Sequence, residues 1–206
     1  MKTFAVLASG NGTDFQALID AVQKGKINAQ IACLIAGKPG IYAIERAERA
    51  GIPAKVVCKR DYPDAAAFDL AIRDALMEAR VDFAVLAGYL SILGEQTVRA
   101  FRNKIINIHP ALIPSFCGMG YYGHNVHRAV LESGVKLSGA TVHFVDETAD
   151  TGPIIMQDTV PVLDTDTVES LAIRVLQKEH EMLPKAVALM AEDKLEVAGR
   201  RVIIKQ

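Results

Sequence analysis

The chain has 206 residues, with 23 Lys and Arg against 24 Asp and Glu, for a formal net charge of −1. That balance lacks the basic excess that draws proteins to nucleic acid or to anionic membranes, so neither is an expected partner. Half of the residues are hydrophobic and 23% are charged, which excludes disorder and predicts a packed core of one α/β domain.

Thr3–Ala8 reads as a first apolar strand. It is too short for a signal sequence, and no apolar run of about 18 residues follows, so neither secretion nor a membrane span is expected. Asp14–Lys24 has helical period, Gln30–Ile35 reads as a second strand, and Ile41–Ala50 as a helix ended by Gly51 and Pro53. Ala54–Cys58 is a third strand, and Pro63–Ala79 an Ala-rich helix. A buried strand at Asp82–Ala87, a short helix at Glu95–Phe101 and a strand at Lys104–Ile108 complete an alternating strand and helix order. That order predicts a mostly parallel twisted sheet flanked by helices. The segment from His109 to Asn125 breaks the pattern: it is rich in Pro, Gly and aromatic residues and too long for a simple connection, which marks a functional rim. A helix around Val126–Ser133, a strand pair at Gly139–Asp146 and Pro153–Val162, a long helix at Thr167–Ala191 and a hairpin at Leu195–Ile204 give a mixed C-terminal portion. The expected organisation is a single domain with a parallel half, 1–108, and an active-site-loop half, 109–206. Cys33, Cys58 and Cys117 are an odd set without paired spacing, two of them in apolar runs, and fit core positions in a reducing cytoplasm.

Three segments can carry chemistry. Ser9-Gly10-Asn11-Gly12-Thr13-Asp14 leaves a strand and enters a helix, where free N–H groups and the helix dipole favour a phosphate. Phe15 stands where a dinucleotide loop has its third glycine, and no Gly-Lys-Ser/Thr follows, so a monophosphate is left. A tight turn with Thr13 or Asp14 as N-cap is the alternative. Asn107 and His109 lie two apart at the carboxyl end of a strand and so on one face. An amide N–H beside an imidazole supplies an oxyanion donor and a proton carrier for acyl transfer, although both could simply satisfy loop backbone. Asp150, in an acidic turn between two strands, would raise the pKa of His109 if the turn folds back to it; most such turns are only solvated. His124 and His127 with Cys117 lack a fourth ligand for zinc, Tyr121 and Tyr122 pin a loop or stack on a ring, and Glu179-His180 sits on a helix whose charges ordinarily face water.

Five segments stand out together: Ser9-Gly10-Asn11-Gly12-Thr13, Leu86-Ala87-Gly88-Tyr89-Leu90 with Ile92-Leu93, Ile106-Asn107-Ile108-His109-Pro110-Ala111-Leu112-Ile113-Pro114, Thr141-Val142-His143-Phe144-Val145 and Asp150-Thr151-Gly152-Pro153-Ile154-Ile155. Through them the chain resembles, along nearly its whole length, the phosphoribosylglycinamide formyltransferases of purine biosynthesis. The resemblance implies the formyltransferase fold with a Rossmann-like first half. It also implies formyl transfer from 10-formyltetrahydrofolate, as co-substrate, to the glycinamide amine, without metal or acyl-enzyme, by a monomer or homodimer acting on small molecules. Asn107 and His109 would hold the formyl oxygen, His109 would donate a proton, and Asp150 would raise its pKa. Gly12, Thr13 and Asp14 would hold the phosphate, Glu179 the ribose hydroxyls, and Leu90, Ser91, Ile92 and Leu93, with Asn107, the folate. Asp14 replaces a frequent Asn and is expected to turn away and cap its helix, leaving backbone N–H groups to the phosphate. Ser91 and Ala65 stand where Arg is frequent, so the folate tail would fall to Lys59 or Arg60. The stretch Cys117–His124 is longer than in shorter members and would reshape the glycinamide side. A formyltetrahydrofolate hydrolase, or a formyltransferase for tRNA-bound methionine or an amino sugar, shares the trio but adds a domain for which 206 residues leave no space. A silent nucleotide-binding module would not need the trio.

Overall fold

The computed structural model describes residues 1–205. It divides into two compact units, Met1–Ile106 and Asn107–Gln206.

In the first unit, β1 (Lys2–Ala8) pairs in parallel with β2 (Ala29–Ala36) on one side and β4 (Phe83–Leu86) on the other, and β2 pairs in parallel with β3 (Ala54–Val56). The order β3-β2-β1-β4 is that of a doubly wound sheet, and the order reverses between β1 and β4. Phe4 to Ala8 are completely buried, as a strand covered on both faces must be, and Phe4 stacks on Phe83 with ring centroids 5.1 Å apart. Helices α1 (Thr13–Gln23), α2 (Tyr42–Arg49), α3 (Ala65–Glu78) and α4 (Glu95–Ala100) connect the strands. α3 starts at Ala65 because the Asp64 carboxylate accepts the Ala67 N–H at 2.8 Å, two residues after the expected Pro63. The third strand stops at Val56, where a single helical turn, Lys59–Asp61, takes over, so buried Cys58 lies beyond it.

β5 (Ile105–His109) carries the division between the units. The second unit then holds α5 (His124–Ser133), the antiparallel pair β6 (Leu137–Phe144) and β7 (Ile154–Pro161), α6 (Val168–Ala191), and the hairpin β8 (Leu195–Ala198) and β9 (Arg201–Ile204), of which β9 runs parallel to β7. β6 ends two residues before the expected Asp146 because that carboxylate closes a turn, accepting the Thr148 N–H at 3.1 Å and the Thr151 hydroxyl at 2.7 Å. α6 opens with a reciprocal cap between Thr167 and Ser170. The α/β class expected from the alternating pattern is the class observed, parallel in the first unit and mixed in the second. Among the described residues no helix is long and apolar enough to cross a membrane.

Candidate active site

In the first unit, the loops leaving β1 and β4 sit at the carboxyl ends of two adjacent strands at the point of reversal, where open α/β sheets bind ligands. Gly12 is the N-cap of α1, in the left-handed region at φ 71°, and no side chain caps that helix. This corrects both expectations of a side-chain cap: Thr13 is already the first helical residue, and Asp14 lies in the first turn, buried at 8% exposure. The first-turn N–H groups consequently have no competing side-chain acceptor from a cap, which suits an anion. Burial pushes the Asp14 carboxyl up to about 7. The loop is braced from α2 by Arg46, whose guanidinium donates to the Asn11 carbonyl at 2.9 Å, the Asn11 side-chain oxygen at 3.3 Å and Gln16 Oε1 at 3.0 Å. On the other loop, Leu90 and Ile92 expose more than half their surface while Leu93 is buried.

In the second unit, Asn107, His109, His143 and Asp150 form one connected cluster. Asn107 Nδ2 lies 3.1 Å from His143 Nε2, and His143 Nδ1 lies 2.8 Å from the Phe144 carbonyl. A carbonyl only accepts, so Nδ1 carries the hydrogen; in the neutral ring Nε2 is then the acceptor, and the Asn107 amide must turn its NH₂ toward it. One Asn107 N–H is spent on that bond and the other is left for a ligand oxygen. His143 is 1% exposed, so this orientation is held inside the protein. Asp150 places Oδ1 3.7 Å from His143 Nε2 and Oδ2 3.6 Å from His109 Nδ1, and accepts the Gly118 N–H at 2.8 Å. His109 Nε2 donates to the Phe116 carbonyl at 2.9 Å.

The sequence builds this cluster by turning the chain after β6. Asp150 takes a left-handed φ of 57°, tolerable for Asp, and Gly152 lets the returning strand pass the Phe144 carbonyl, since a Cβ there would lie 1.7 Å from that oxygen. The segment after His109 is tied down by Thr141, whose hydroxyl donates to the Ala111 carbonyl at 2.7 Å and accepts the Ile113 N–H at 3.1 Å. Gln157 Nε2 donates to the Ile113 carbonyl at 2.9 Å.

Opposing influences set the His109 pKa, and Asp150 acts in the expected direction. Asp150 does favour a charged His109, as does the Phe116 carbonyl, but burial disfavours the charge more strongly and His143 adds to that, so the His109 pKa lies below its ordinary value rather than above it. For Asp150 burial acts upward, yet the His109 ring and the Gly118 N–H act against it, and the carboxyl is held below the usual range.

The cluster thus brings together the three side chains expected from the sequence and adds His143, which was not singled out. Its signal was a lone imidazole inside an apolar run, Thr141-Val142-His143-Phe144-Val145, since a buried ring must find partners. Glu179, on α6, is buried at 8% exposure rather than facing water. His127 is buried and driven down to about 4 by burial and by the His124 and His109 rings. Among the described residues no three His, Cys, Asp or Glu side chains gather as a metal site, and all three cysteines are free. In the long loop, the Tyr121 ring meets Phe116 edge-on at 6.4 Å while Tyr122 is exposed.

The formyl transferase family model matches residues 2–187. Phosphoribosylglycinamide formyltransferase of Vigna unguiculata, a chloroplastic protein, is 40% identical over 94% of this chain and 62% of its own length. The trifunctional purine biosynthetic protein adenosine-3 of Gallus gallus is 43% identical over 94% of this chain and 19% of its own. The chain therefore spans under two thirds of either curated relative. Among solved structures, glycinamide ribonucleotide transformylase 1 from Symbiobacterium toebii superposes with a TM-score of 0.95 at 43% identity, covering 100% of this chain and 95% of that one.

Proposed function

The chain belongs to the formyl transferase family, and we propose from that premise that it transfers the formyl group of 10-formyltetrahydrofolate to the amine of N1-(5-phosphoribosyl)glycinamide in purine biosynthesis. The observation that carries the chemistry is the Asn107–His143–Asp150–His109 cluster. The glycinamide nitrogen attacks the formyl carbon, and the carbonyl electron pair moves onto oxygen. The oriented Asn107 N–H receives that charge, a donor fixed before the charge develops and so needing no reorganisation. The formyl oxygen takes the place of the Phe116 carbonyl at His109 Nε2, so the imidazolium donates to the oxyanion while Asp150 stabilises its charge. Burial makes that imidazolium the stronger acid. The C–N10 bond then breaks, one amine proton ends on N10, and formylated ribonucleotide and tetrahydrofolate leave.

Gly12, Thr13 and the first turn at Asp14 hold the phosphate, Glu179 the ribose hydroxyls, and Leu90, Ser91, Ile92 and Leu93, with Asn107, the folate. No metal takes part, and the halves 1–108 and 109–206 act as one formyltransferase domain. With three free cysteines and balanced charge, the protein works in the cytoplasm on small molecules, as a monomer or homodimer and apart from nucleic acid and membranes. Folate labelled with ¹³C in the formyl group tests the reading: the label should reach the ribonucleotide, detected by mass spectrometry. Release of the label as formate would make the protein a hydrolase instead.

A further inference from the structure

Given the reading that the folate lies along Leu90–Leu93, we infer that Ser9 and Asp69 are positioning residues that anchor this segment at its two ends. Leu90 and Ile92 are 58% and 56% exposed, so burial of their own side chains does not fix the backbone between them. Two buried polar side chains outside the segment do. At its start, the Ser9 N–H donates to the Gly88 carbonyl at 3.1 Å, and Ser9 Oγ accepts the Leu90 N–H at 3.0 Å. At its end, Asp69 Oδ1 accepts the Gly94 N–H at 2.9 Å, and Oδ2 accepts those of Gln96 at 2.9 Å and Thr97 at 3.4 Å. The Thr97 hydroxyl returns a bond to the Asp69 carbonyl at 2.9 Å.

Asp69 is 4% exposed, and a carboxylate is buried at such cost only when its oxygens are met by several donors, as here. The cap comes from α3, 25 residues upstream of Gly94, so it fixes where the segment ends in space as well as where α4 begins. Gly94 permits the approach, since a Cβ there would lie 2.5 Å from the Asp69 carboxyl carbon. Ser9 is also the first residue of the loop between β1 and α1. The same hydroxyl therefore ties the folate segment to the phosphate loop, both within the first unit, whereas Asp69 holds the far end of the segment, at Gly94 and the first turn of α4. A segment held in its binding conformation loses less entropy when the ring docks.

The two anchors have separable signatures, read on the full chain by steady-state kinetics and by amide hydrogen exchange over residues 88–94. Asp69→Asn should raise the KM for 10-formyltetrahydrofolate about tenfold, with kcat and the ribonucleotide KM within about twofold. Ser9→Ala should raise both KM values. Amides 88–94 should exchange faster in each variant while those of β1 and β4 keep their protection. An unchanged folate KM in folded Asp69→Asn, or unchanged protection of 88–94, overturns the anchoring role. Should Asp69→Asn fail to fold, Ser9→Ala carries the test by the same criteria. If the wild-type chain deformylates no folate in the presence of the ribonucleotide, the reading of function fails, and the exchange comparison still decides the anchoring.

Discussion

Asp150→Asn isolates one charge. Asn keeps a side-chain oxygen for the Gly118 N–H and tolerates the left-handed φ of 57°, so the turn should survive the substitution. The charge removed lies 3.6 Å from His109 Nδ1, with the two side chains only 15% and 5% exposed. At an effective dielectric of about 20 such a pair is worth roughly 5 kcal/mol, part of which the remaining amide dipole offsets. Burial already holds the His109 pKa below its ordinary value, so loss of Asp150 lowers it further. Above both values the imidazolium fraction falls, and turnover near neutral pH should drop about 10²-fold while the alkaline limb of the pH profile moves to lower pH. Titration of the histidine Cε1–H resonances by NMR reads the shift directly, with His109→Asn as the assignment control. A His109 pKa within about half a unit of wild type, with an unmoved pH profile, would refute the coupling.

His109→Ala should lower kcat by about 10²-fold or more with folate binding kept, measured by steady-state kinetics beside equilibrium fluorescence titration. His143→Ala leaves the Asn107 amide without its orienting partner, and should lower kcat about tenfold or more while the folate KM stays put; an unchanged kcat would remove His143 from the account. Asp14 bears on stability: its folded pKa of about 7 lies above the ordinary carboxyl value of 3.8, so the folded chain holds the extra proton between those values. Stability therefore falls as pH rises through that window, by roughly 4 kcal/mol at most. Asp14→Asn should flatten that fall in denaturant midpoints at pH 5 and 8, and should lower the ribonucleotide KM at pH 8 by removing a carboxylate from beside the phosphate.

The parallel half was legible because buried strands and amphipathic helices alternate with clear punctuation, and period two placed Asn107 and His109 together at a strand end. The rest depended on contacts distant in sequence. Asp150 reaches His109 only through the turn closed by Asp146 and the passage at Gly152, neither of which a local pattern encodes. The helix cap fell to Gly12 rather than Thr13 or Asp14, in a loop held by Arg46 from the next helix. The direction of the His109 shift required the burial of the ring, because a neighbouring carboxylate and desolvation act oppositely and their balance is a property of the fold. Glu179 is hidden for a similar reason, since helical period marks a face without stating which groups that face contacts.

The most direct test is the absorbance change on deformylation of 10-formyltetrahydrofolate by the purified protein, recorded with and without glycinamide ribonucleotide. The account predicts deformylation that begins only when the ribonucleotide is added and that stoichiometrically consumes it. Deformylation at the same rate without the ribonucleotide, or none with it, would contradict the account.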